Sequence, residues 1–111
     1  MGLPQLLARW FSTDKVTDFA ERIAARSRQA VWQRVCQRTA SLGMPEARGY
    51  IRARGAAIIH QETDRLIAQE GSRAAEIRGQ LIVAATDSLV KQLLMQCQQS
   101  RKQFSTVRRA A

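Results

Sequence analysis

From residue 13 to residue 104 the chain is punctuated at only two places, Ser41-Leu42-Gly43-Met44-Pro45 and Gly71-Ser72. Glycine just past a helix end, with proline two residues later, is a strong stop signal. Pro45 also suits the first turn of the helix that follows. Elsewhere the apolar residues recur at helical spacing, and few β-branched residues alternate with polar ones, so no strand pattern competes. The first helix is expected to start near Ser12-Thr13-Asp14, any of which can cap it. Asp14, Asp18 and Glu21 then lie near its positive dipole end, and Arg22, Arg26, Arg28, Arg34 and Arg38 follow. The second helix runs to Glu70, and Ser72 is expected to cap the third, which continues past Cys97 to Phe104. The tail 105–111 is expected to fray.

Three helices of roughly 25 to 32 residues would each be about 37–48 Å long. Connections this short make sequence neighbours antiparallel. The pattern therefore predicts an all-α chain, an elongated antiparallel three-helix bundle forming a single domain over 1–111. The apolar segment 3–11 can add a short N-terminal helix.

At about 100° per residue, the first helix collects Val16, Phe19, Ala20, Ile23, Ala24, Ser27, Ala30, Val31 and Val35 on one side. Trp32 and Cys36 fall on a second face. The second helix collects Ala47, Ile51, Gly55, Ile58, Ile59 and Leu66, with Glu62 as the odd member. If the stripe centres on Ile59, Thr63 and Leu66, the carboxylate sits at the rim. If it centres on Ile51, Gly55 and Ile58, the carboxylate is partly buried and needs an arginine. The rim is the preferred reading. Gly55 loses roughly 1 kcal/mol of helix propensity against alanine, a loss that closer helix approach would explain.

The third helix carries two stripes. Ile77, Leu81, Ile82, Ala85, Leu89 and Leu93 form one. Val83, Val90, Cys97 and Phe104 repeat every seven residues on another side, with Leu94 beside them. A three-helix bundle needs one stripe per helix, so the second asks for a second partner. The segment Leu3, Leu6, Leu7, Trp10 and Phe11 has an apolar stripe of its own and can fold back onto the bundle. As a membrane-surface helix it would bind weakly, being short and carrying one arginine, so membrane contact is not expected.

Composition removes several chemistries. Two cysteines 61 positions apart give neither a disulfide framework nor a zinc spacing, and a reducing, cytoplasmic setting is the plain expectation. No signal-peptide pattern and no apolar run of membrane-spanning length occurs. The one histidine, His60, shares a helix face with Asp64, but two ligands do not make a metal site. His60 is also too far along the bundle from Cys36 and Cys97 to activate either thiol. Cys36 and Cys97 themselves fall at similar heights. Gly49 and Gly55 sit inside a helical pattern, not in a phosphate loop. No enzyme, cofactor or metal is expected.

The net charge of +9 comes from 18 basic and 9 acidic residues, and 15 of the basic ones are arginine. The excess is spread along the chain: six basic against three acidic residues in 13–42, four against four in 46–70, five against two in 72–104. The expected function is a helical interaction module that self-associates or docks on a protein partner through its third helix. Val83, Val90, Leu94, Cys97 and Phe104 would carry it, with Trp32 and segment 3–11 second. The alternative is nucleic-acid binding, with Arg48, Arg52 and Arg54 joined by Arg22, Arg26, Arg34 and Arg38 in contacting phosphates.

Overall fold

The computed structural model describes the backbone of residues 13–110 and the side chains of 15–103. Four helices account for nearly all of it: α1 (Thr13–Thr39), α2 (Met44–Glu70), α3 (Ser72–Glu76) and α4 (Arg78–Ala110). No strand occurs among the described residues. The helices pack against one another as a helical bundle, with α1, α2 and α4 in mutual contact.

Both stop signals operate. Gly43 is extended and precedes α2, with Pro45 in the first turn. Gly71 closes α2 at φ 95°, donating its N–H to the Ile67 carbonyl. That positive φ is the one place where the turn requires glycine. Two expectations need correction. Ser72 does not cap the third segment; Gly71 holds the cap position and no side chain bonds the free N–H groups there. The third helix is not continuous but breaks at Ile77 (φ −106°, ψ 18°), whose N–H turns back to the Ala74 carbonyl. Ala74 and Ile77, on either side of the break, are both buried. Residues 105–110 continue the backbone of α4.

The core follows the predicted stripes. Phe19, Ala20, Ile23, Ala24, Val31 and Val35 of α1 meet Ile51, Ile58, Ile59 and Leu66 of α2 and Leu81, Ala85, Leu89 and Leu93 of α4. Ala30, assigned to the first stripe, is exposed. Three buried hydroxyls satisfy themselves on the preceding turn: Ser27 Oγ donates to the Ile23 carbonyl at 2.8 Å, Thr39 to Val35 at 2.9 Å and Thr63 to Ile59 at 2.6 Å. They enter the core without a distant partner. Glu62 sits at the rim, half-buried and paired with Arg65 at 2.9 Å.

Gly55 lies where three helices converge. A Cβ there would stand 3.4 Å from Leu89 Cδ2 on α4 and 3.4 Å from Val31 Cγ1 on α1. These are ordinary contact distances, so the helices pass no closer at Gly55 than an alanine would allow, and the expected close approach is not what holds a glycine there.

Surface ion pairs mark how the helices align. Arg22 pairs with Glu70, Arg52 with Asp87, and Arg78 with Asp64 at 2.8 Å. The Arg78 hydrogen bond, helped by the nearby charges of Arg78 and His60, holds the Asp64 carboxyl below its ordinary value of 3.8. A depressed carboxylate pKa contributes stability above the unfolded value and loses it as pH falls through the folded one. We therefore expect Asp64→Asn to lower the melting temperature slightly at neutral pH. Parent and variant should converge in thermal melts below the carboxylate range. The pair is exposed, so the gap should also shrink with added salt.

Candidate functional site

The seven-residue stripe of α4 divides in the folded chain. Val83 is 62% exposed, whereas Val90 and Cys97 are buried at 4% and 2%. Leu94 is half-buried and Met95, absent from the predicted set, is 54% exposed. The Phe104 side chain and segment 3–11 lie outside the described residues. The premise that two neighbours leave much of α4 uncovered thus holds for Val83, Leu94 and Met95 and fails for Val90 and Cys97, which α4's own neighbours cover.

Val90, Leu94 and Met95 border a groove between α2 and α4, which Val83 and Cys97 do not line. Two hollows of about 430 and 340 Å³ share Arg48, Leu94 and Gln98. Val90, Leu94 and Met95 line one, and Met44 and Pro45 the other. Arg48, Arg52 and Lys91 stand around them with a single acid, Asp87. Asp87 already binds Arg52 at 3.1 Å. Arg48 and Lys91 have no ion pair among the described residues. The groove is therefore apolar at its floor and carries two uncompensated cations at its edge. Helical geometry produces this directly: Arg48 and Arg52 are one turn apart, as are Val90 and Leu94.

The remaining predicted arginines do not converge on that groove. Arg22 and Arg26 face Glu70 and Gln69 on the seam between α1 and α2. Arg38 and Arg54 flank the Tyr50 ring, at 5.8 and 5.6 Å from its centre. Arg34 is exposed on α1. The seven arginines thus occupy at least two seams, with three of them held by acids or amides of the chain itself.

A second hollow, about 660 Å³, opens between α1 and α4. Trp32, Cys36, Thr39 and Ala40 of α1 line it with Cys97, Ser100 and Arg101 of α4. Both thiols are free and border the same space, as their similar heights in the sequence reading implied. Arg101 was not singled out by its sequence. Its Nη2 donates to the Thr39 carbonyl at 2.7 Å and also to that of Leu42. The guanidinium thereby adds to the Leu42 N–H already on the Thr39 carbonyl, ties the last residue of α1 to the loop that follows it, and faces the negative end of the α1 dipole. The only available signal was its position four residues after Cys97 on the same helical face.

His60 is exposed. Among the described residues no three of His, Cys, Asp and Glu gather as a metal site, and no helix is long and apolar enough to cross a membrane. No family model matches the chain, and neither a curated protein nor a solved structure does.

Proposed function

We propose that the chain is a non-enzymatic docking module, an elongated antiparallel three-helix bundle that binds an acidic amphipathic helix of a protein partner in the groove between α2 and α4. The up-down-up direction is supported by the pairings Arg22–Glu70 and Arg26–Gln69 between α1 and α2, and Arg52–Asp87 and Asp64–Arg78 between α2 and its successor. Two cysteines 61 positions apart, without a disulfide framework, suit a cytoplasmic setting.

One observation carries the docking reading: a groove with an apolar floor has Arg48 and Lys91 unpaired at its edge. An apolar strip set between carboxylates would bury Leu94 and Met95 while pairing those cations. A second copy of the same face would instead set cations against cations, which disfavours self-pairing here.

The test is titration of a helical peptide with alternating leucine and glutamate faces, beside its leucine–lysine counterpart. The glutamate peptide should bind, and the lysine peptide should not. Affinity should fall at least tenfold in Leu94→Glu and in Arg48→Glu/Lys91→Glu, about 1.4 kcal/mol. Equal binding of both peptides, or none by either, would overturn the reading.

Nucleic-acid binding remains the second reading, supported by the unpaired Arg48 and the Arg38–Tyr50–Arg54 cluster. It predicts retention on a generic duplex that falls steeply with salt, and a shallower slope in Arg48→Ala/Arg52→Ala/Arg54→Ala.

A further inference from the structure

We infer that the apolar cleft between α1 and α4 receives segment 3–11 of a second copy of this chain, and that two copies exchange these segments reciprocally. The cleft lies on a different seam from the α2–α4 groove, so the inference stands apart from the docking reading.

The seam between α1 and α4 changes character along its length. Toward the start of α1 it is closed by polar side chains: Ser88 Oγ donates to Glu21, Gln92 donates to Ser88, and Arg28 holds Gln96 through two donors. Nothing apolar is called for there. Beyond Arg28 the seam opens into the cleft, where Trp32, Cys36, Ala40 and Cys97 stand beside Ser100 and beside Thr39 and Arg101, whose polar groups already bond carbonyls of the chain. An occupant of this part must be apolar and must need no strong ion pair. Segment 3–11 fits that description: Leu3, Leu6, Leu7, Trp10 and Phe11 form one helical stripe, and Arg9 is its only charged residue.

Reach decides which copy supplies it. The segment joins α1 directly, two residues after Phe11. From Thr13 to Trp32 is 19 residues of helix, about 28 Å at 1.5 Å per residue. As a helix, segment 3–11 is only about 13 Å long. Folded back along its own α1 it ends against the polar stretch of the seam, well short of Trp32. A fully extended chain could span the distance at about 3.3 Å per residue. It would, however, send Leu3, Leu7 and Phe11 to one side and Leu6 and Trp10 to the other, which breaks the stripe. A helical segment can therefore fill the cleft only from another molecule. With two copies laid antiparallel about a two-fold axis, each start of α1 lies beside the other's cleft, and the exchange closes as a dimer.

Cross-linking and mass test this together. In a Cys97→Ser chain, which leaves Cys36 as the cleft thiol, Leu7→Cys should form a covalent dimer under mild oxidation by a diazene oxidant such as diamide. The dimer should disappear in the added Cys36→Ser control. Static light scattering should give a dimer mass for the parent at high micromolar concentration. Leu6→Glu/Trp10→Glu, which leaves every described core residue unaltered, should give a monomer with unchanged helical circular dichroism. A disulfide formed within one chain would overturn the proposal. So would a monomeric parent, or a dimer that survives Leu6→Glu/Trp10→Glu.

Discussion

Leu89→Ala should lower the free energy of unfolding by about 3 kcal/mol, within the range of leucine truncations at sites that cannot collapse. Leu89 is 1% exposed and sits at the one level where all three long helices meet, against the bare backbone of Gly55. No side chain at position 55 can swing into the space that truncation leaves. The converse change tests the same contact. Gly55→Ala places its Cβ at ordinary contact distance, 3.4 Å, from Leu89 and Val31. It should be neutral or stabilise by up to about 1 kcal/mol through helix propensity. Gly55→Leu has nowhere to go and should destabilise by about 3 kcal/mol or more through overpacking. Because positions 55 and 89 share one space, Gly55→Leu/Leu89→Ala should lose clearly less than the two single losses together. Urea unfolding followed by circular dichroism reads all four. Additive losses would show that the two side chains do not compete for that volume.

Arg101→Met should be the most damaging change of a charged residue, at about 2 kcal/mol. It removes charge-assisted hydrogen bonds to two carbonyls at the end of α1, each on the order of 1.5 kcal/mol or more. The net loss is held down because Arg101 Nε is itself buried without a partner among the described residues. Arg101→Lys keeps the charge but not the planar fork and should recover only part of the loss. Arg22→Met and Arg52→Met break exposed pairs and should stay within about 0.5 kcal/mol of the parent. Denaturation midpoints compare the set; an Arg101→Met value no larger than that of Arg22→Met would contradict the capping role.

How much of this could be read from the residues differs by kind. Helix positions were legible because Gly43, Pro45 and Gly71 act locally, through missing side chains, fixed φ and positive φ. The break at Ile77 was not, because neither glycine nor proline stands there and the residues around it continue the helical spacing. Core stripes were legible from spacing alone. Which face of α4 remains open was not: Val83 and Val90 share one helical position seven residues apart, yet one is exposed and the other buried. Their difference lies in which neighbour passes beside each turn. The arginines show the same limit. Sequence counted them as one basic set, while their partners, Glu70, Gln69, Asp87 and the Tyr50 ring, come from other helices.

The polar closure of the α1–α4 seam has a consequence for how the chain assembles. Glu21–Ser88 and Arg28–Gln96 join residues 67 and 68 apart, and the Arg101 contacts join residues 62 and 59 apart. Each encloses the whole of α2. The first pair of long helices shares only a four-residue link, residues 40–43, and can meet at little entropic cost. On loop-closure cost the α1–α4 seam is expected to close last, onto helix pairs already joined by short links. Its hydrogen bonds act as latches on an assembled core, not as the contacts that begin it.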